Sequence, residues 1–199
     1  MLLYYACISV IALVLLLAIH NRQKLIIQHK EQITHCQETI TCTKKLHAFI
    51  NRSTEYCKTY IATESTDALQ NLSTSTDTIL RLTAALTELT ENNTKQLSKV
   101  KILQLAVNEH VHYTDKIIHT IQNGVSSSAI SIYNNPMYGS VAQHIKVILS
   151  QIDNNEVVLL RDYNEALRNN ETEQKVLYLL LFASLISIFI FRKKEERKL

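Results

Sequence analysis

An uncharged apolar run lies near each end of the chain. Leu2 to Ile19 carries no charged residue, and Val176 to Phe191 reads Val-Leu-Tyr-Leu-Leu-Leu-Phe-Ala-Ser-Leu-Ile-Ser-Ile-Phe-Ile-Phe. A helix of roughly 20 apolar residues crosses a hydrocarbon core about 30 Å thick. Each run therefore predicts a membrane helix, over residues 2–19 and 176–191. The competing reading of the first run is a cleaved secretory signal. No charged segment precedes it, and Leu17-Ala18-Ile19-His20 offers no exit with small residues at the cleavage positions. Both features favour a retained anchor.

Arg192, Lys193, Lys194, Arg197 and Lys198 follow the second run at once. Basic residues stay on the cytoplasmic side of a membrane helix. The expectation is a cytoplasmic basic tail at residues 192–199 and an extracytoplasmic domain at residues 20–175, in a protein that crosses the cell membrane twice. Arg22 and Lys24 after the first run oppose this orientation, but the C-terminal cluster is denser.

Between the runs the chain reads as helical. Its 199 residues include two Gly, one Pro and no Trp. An all-β fold needs turn-forming residues at every hairpin corner, so this composition excludes one. Ile33, Cys36, Ile40, Thr43, His47, Ile50, Thr54, Cys57 and Ile61 recur at alternating steps of three and four, the spacing of a heptad seam. No Gly or Pro separates this stripe from the first apolar run, which predicts one continuous helix. Thr63-Glu64-Ser65-Thr66-Asp67 makes a first corner, where Ser65, Thr66 or Asp67 can cap a new helix. Leu69, Leu72, Ile79, Leu82, Leu86 and Leu89 form a second stripe, with a polar middle at Ser73 to Thr78.

Glu91-Asn92-Asn93-Thr94 is a second corner. A third helix is expected from about Lys95 to Gln122, with Leu97, Val100, Leu103, Val107, Val111, Thr114, Ile118 and Ile121 on one face. Asn123-Gly124 ends it, because Gly tolerates the left-handed cap. Val125 to Ser140 holds a glycine and the proline and reads as irregular, with a short helical turn near Ser127 to Tyr133. Val141, Ile145, Ile148, Ile152, Asn155, Leu159 and Ala166 form a fourth stripe that runs into the second apolar run. The expected fold is all-α: an antiparallel four-helix bundle whose N- and C-terminal helices continue into the transmembrane helices.

This layout resembles the third class of cyclase/histidine-kinase-associated sensory extracellular (CHASE) domains, over roughly Cys36 to Arg168. The first-corner signature of that family reads approximately Arg-Gly-Tyr-Leu-Leu-Thr-Gly. Here Lys58-Thr59-Tyr60-Ile61-Ala62-Thr63-Glu64 takes its place. Tyr60 and Thr63 match, Lys58 and Ile61 are conservative, and both glycines are absent. Leu86-Thr87-Glu88-Leu89-Thr90-Glu91-Asn92-Asn93 is similar to the second corner. Gln151-Ile152-Asp153-Asn154-Asn155-Glu156 before Leu159-Leu160-Arg161 also follows the family order. The resemblance implies a sensory module in a bacterial inner membrane, working as a homodimer or with a partner receptor or kinase chain, for an unknown small-molecule or protein ligand. Eight residues follow Phe191. That is too few for an output domain, so the expectation is an input module without its own kinase or cyclase.

No catalytic motif stands out. The chain lacks a nucleophile elbow, a Gly-rich phosphate loop and a paired-Cys metal motif, so neither enzyme activity nor a cofactor is expected. Five of the 21 basic residues crowd into the last eight positions, which leaves no basic groove for nucleic acid. Glu109-x-x-His112 has di-iron spacing, but the partner Glu and second Glu-x-x-His are missing, so it reads as a polar face. His110, His112 and His119 are candidate pH sensors. Cys36 and Cys57 read as small apolar core residues. If a dimer sets the same helices parallel, Cys42 can pair with its own copy, but a free thiol is the favoured expectation. Ser73 to Thr78 and Val125 to Ser140 are the candidate regions for ligand or partner contact. The structural alternative to sensing is a helical tether or assembly scaffold.

Overall fold

The few corners in the sequence become the few breaks in the structure. A computed structural model describes residues 2–91 and 93–196; among them are five α-helices and no strand. They are α1 Leu2–Thr63, α2 Thr66–Thr90, α3 Thr94–Gln122, α4 Ser126–Tyr133 and α5 Pro136–Glu196. The all-α expectation holds. The first apolar run and the first stripe share α1, and the fourth stripe and the second run share α5. Each of these two helices contains a stretch long and apolar enough to cross a membrane, with mean hydropathy 1.7 and 2.0.

Local chemistry explains each break. Ser65 caps α2: its side chain accepts a hydrogen bond from the Ala68 amide at 3.2 Å. Asn93 caps α3 in the same way through the Gln96 amide at 3.2 Å. Gly124 adopts φ +77, and the amides of Gly124 and Val125 donate back to the carbonyls of Ile121 and Thr120. This pair of bonds closes α3 in the Schellman arrangement that glycine favours. Pro136 opens α5, where a missing amide costs nothing, and Asn135 Oδ1 accepts from the Met137 amide at 2.9 Å. The stretch expected to be irregular is therefore mostly helical. The short turn expected near Ser127 to Tyr133 is α4, and α5 begins five residues before Val141.

The described chain forms two compact units. One comprises Met1–Thr34 and Leu159–Leu199, the other His35–Val158. The first unit exposes Val10, Leu13, Leu17, Leu179, Phe182 and Phe189. Its polar portion is tied by Arg22, whose Nη2 meets Glu173 Oε2 at 2.5 Å and whose Nη1 donates to Asn170 Oδ1 at 2.7 Å. Gln174 donates to Gln23 at 2.7 Å, and His29 lies against Tyr163. Arg192, Lys193 and Lys194 end α5 as exposed residues. Arg197 and Lys198, expected in the same cluster, lie outside the described residues, as does Asn92 of the second corner.

The second unit holds two apolar clusters. Leu46 and Ile50 of α1, Ile79 and Leu86 of α2, Val100, Leu103 and Val107 of α3, and Ile145 and Ile152 of α5 belong to one, all fully buried. Cys57, Tyr60, Leu72, Ile117, Ile121 and Ala129 belong to the other, which α4 joins. Burying one Leu or Ile contributes about 1.5–3 kcal/mol. These clusters thus outweigh surface ion pairs, which contribute about 0–1 kcal/mol each.

The register of the first stripe differs from the expectation in one half. Cys36, Thr43, Ile50 and Cys57 are buried as expected, but their seam partners are Thr39, Leu46, Ser53 and Tyr60. Ile40, His47, Thr54 and Ile61, each one residue later, are half-buried or exposed. Thr39 can sit inside because its hydroxyl donates to the carbonyl of His35 at 3.0 Å, which removes the cost of an unpaired buried group.

Candidate functional site

Polar side chains at seam positions define the most unusual chemistry of the second unit. His110 projects from α3 and is 1 % exposed. Its ring stacks on Tyr138 of α5, with centroids 5.5 Å apart and planes 12° apart. Its Nε2 lies 3.5 Å from Ser53 Oγ of α1. Its Nδ1 has no hydrogen-bond partner among the described residues. Burial pushes the imidazole down to about 4 from its ordinary 6.5, because desolvation penalises the charged ring. His110 is therefore neutral at physiological pH.

Tyr138 completes the cluster. It is 2 % exposed, and Tyr113 and Tyr133 pack around it with centroids at 5.9 and 5.5 Å. Its hydroxyl lies beside the Cys57 thiol and the Thr114 hydroxyl, yet none of the described groups meets it in hydrogen-bonding geometry. Burial raises the phenol and pushes the Cys57 thiol up to about 11. A thiol so protonated is a poor nucleophile. The cluster thus joins α1, α3 and α5 through an imidazole, a phenol, a thiol and two hydroxyls, in a setting suited to packing rather than bond-making.

A second polar cluster sits in the same unit. The Gln96 amide of α3 donates to Glu156 Oε1 of α5, and both side chains are 2 % exposed. Gln96 Oε1 and Glu156 Oε2 have no partner in hydrogen-bonding geometry among the described residues. The Cys36 thiol lies against the Glu156 carboxylate, and burial followed by that carboxylate pushes it up to about 12.

The residues singled out by the sequence fall into place unevenly. In the first-corner motif, Tyr60 is buried and Ile61 packs on the second apolar cluster, while Lys58 is exposed. Thr63 Oγ1 donates to the Thr59 carbonyl at 2.8 Å and accepts from the Ser65 amide at 3.4 Å. Glu64 then adopts φ 50, the left-handed conformation that glycine takes without strain. Glu109, His112 and His119 are exposed, so only His110 of the candidate histidines is interior. Cys42 is 7 % exposed, and its thiol donates to the Leu82 carbonyl at 3.4 Å. It faces the core of its own unit. Cys7, Cys36, Cys42 and Cys57 are free thiols. In the polar middle of α2, Ser75 and Thr76 are buried, with Thr76 bonded back to the Leu72 carbonyl at 3.0 Å. Sequence reading missed His110, Gln96, Ser53 and Glu156 as core residues. The available signal was their spacing of three and four from apolar neighbours, not their polarity.

Comparison with known families matches residues 29–166 to the CHASE3 domain. Comparisons with curated proteins and with solved structures found no match.

Proposed function

The chain belongs to the CHASE3 domain family, and from that premise we propose that it is the sensory input module of a membrane receptor. CHASE3 is a sensory domain of signalling proteins. In this reading residues 2–19 and 176–191 cross the membrane, residues 20–175 form an extracytoplasmic antiparallel four-helix bundle, and the basic end of α5 is cytoplasmic. The observation that carries the proposal is the family match at 29–166, flanked by helices long and apolar enough to cross a membrane.

The buried polar clusters support a switching role. A stimulus acts by changing the packing of a core in which imidazole, phenol and carboxamide groups keep unused hydrogen-bonding capacity. Such a core gives up less when it shifts than a fully matched apolar one, because its bonds are incomplete at the start. α1 and α5 pass a small displacement along their length to an output domain or to a partner chain, a familiar form of helix shift. The chain works as a homodimer or beside a partner receptor.

Two experiments test the reading. Reporter fusions after Glu196 and within the turn at residues 123–125 should report opposite sides of the membrane. Residues 1–191 fused to a kinase output domain should give activity that varies with pH, osmolarity or added metabolites. A well-folded fusion with constant output across that panel would replace sensing with the tether reading.

A further inference from the structure

Between α1 and α5, inside the unit His35–Val158, lies an open cavity of about 210 Å³. Thr43, Lys44 and His47 line it from one helix, and Lys146, Ser150 and Asp153 from the other. On α5 these residues are spaced by four and three, so they share one face. Leu149, buried, supplies an apolar part of the wall. Thr43, also buried, donates to the Ile40 carbonyl at 2.9 Å, and its hydroxyl lies 3.4 Å from Asp153 Oδ1, the only carboxylate in the lining. Neither Lys44 nor Lys146 has a carboxylate within ion-pair distance among the described residues.

We propose that this cavity binds a small organic carboxylate, held by the Lys44 and Lys146 ammonium groups with its carbon skeleton on Leu149. The charges favour an anion: the ammonium groups of two lysines line the cavity against the single carboxylate of Asp153. Ammonium–carboxylate hydrogen bonds are shorter and stronger than neutral ones. The Ser150 hydroxyl offers a further donor, and Leu149 favours an organic over an inorganic anion. The size favours a small ligand. Drug-sized pockets begin at roughly 300 Å³, and a water molecule takes about 30 Å³ of liquid, so an occupant of several heavy atoms suits this space. The bound carboxylate bridges the two helices that carry the apolar runs.

This inference deepens the sensory reading by naming a ligand class, and it rests on that reading for its biological meaning. Binding is measured apart from signalling. The full chain, purified in lipid nanodiscs, is titrated with sodium acetate, sodium lactate and sodium succinate, with sodium chloride at matched ionic strength as control. At least one carboxylate should raise the melting temperature saturably above the chloride control. The Lys44→Gln/Lys146→Gln variant should weaken that ligand by about tenfold or more, the loss expected when charge-assisted bonds are removed. Ser150→Trp, which fills the mouth while keeping both lysines, should abolish the effect. All three carboxylates behaving like chloride overturns the proposal, as does a saturable effect that persists in both variants. A carboxylate that binds here but leaves the kinase fusion silent overturns the sensory reading and keeps the site.

Discussion

His110 and Tyr138 lie face to face in the interior, their ring centroids 5.5 Å apart and their planes 12° apart. One comes from α3 and the other from the start of α5, so the stack fixes the entry of α5 against α3. The contact also leaves His110 Nδ1 and the Tyr138 hydroxyl without partners in hydrogen-bonding geometry among the described residues. Burying such groups costs about 1–3 kcal/mol each, which the surrounding apolar clusters offset. An imidazole held neutral by burial links this contact to pH.

Folded-state burial lowers His110 to about 4 from 6.5. In the unfolded chain the ring takes up a proton near 6.5, whereas the folded ring resists it until about 4. The unfolded state therefore binds more protons across that window, and stability falls as acid is added. The contribution is complete above pH 6.5 and is lost as pH drops toward 4, amounting to about 3 kcal/mol. Denaturant midpoints at pH 7 and pH 4.5 should differ more in the natural chain than in His110→Gln. Equal acid sensitivity of the two would remove His110 as the source.

Glu64 holds a left-handed backbone at φ 50, which costs a side chain about 1–2 kcal/mol relative to glycine. Its carboxylate accepts from Ser126 Oγ at 2.6 Å, but that bond is exposed and recovers only part of the strain. Glu64→Gly should raise stability by about 1 kcal/mol. Glu64→Val should lower it by a similar amount, because a β-branched residue fits this conformation worst. Thermal melts of the two variants should move in opposite directions; a lower melting temperature for Glu64→Gly would refute the strain.

Three of the breaks were legible in the sequence: the corners at Thr63–Asp67 and Glu91–Thr94, rich in capping residue types, and the Gly124 stop; the start of α5 at Pro136 was not. Nor was the polar core. Apolar periodicity selects Ile40 and Ile61 over Thr39 and Tyr60, yet the latter pair is buried. Thr39 hides its hydroxyl on the His35 carbonyl, a bond available to any helical Thr and so invisible in composition. Gln96 and Glu156 carry no apolar signal, and His110 stands out in the sequence as a candidate pH sensor rather than as a core residue, because polar residues usually face water. Their burial depends on partners about 60 residues away in sequence, as between Gln96 and Glu156, which no local pattern encodes. The missing family glycine at Glu64 was visible, but only the structure shows that the backbone keeps the glycine-like conformation without it.

Arg22 pairs with Glu173 at 2.5 Å while also donating to Asn170. The two charged side chains are 38 % and 54 % exposed, so solvent screens the pair and its worth is about 0.2–1 kcal/mol. Arg22→Glu and Glu173→Arg should each lower stability by that order, through like-charge contact, and the double exchange should recover most of the loss. Melting temperatures of the four proteins in nanodiscs form the cycle. Additive losses in the double variant would show that Arg22 and Glu173 act separately.

Gln96 and Glu156 make the opposite case, a pair that solvent does not screen. Each is 2 % exposed, and the Gln96 amide donates to the Glu156 carboxylate. Removing either member alone strands the other without its partner, which costs about 2–3 kcal/mol where the group is charged or fully buried. Removing both and filling the space with apolar side chains leaves nothing stranded, so the combined change is close to neutral. Gln96→Leu and Glu156→Leu should therefore each be strongly destabilising, and the double variant should be more stable than either. In the kinase fusion the double variant should also respond less to the stimulus, because an apolar seam in that position lacks the incomplete bonds that make rearrangement cheap. Denaturant midpoints decide the first point and fusion activity the second; a double variant less stable than both singles would mean that the pair holds the helices by its geometry rather than by mutual satisfaction.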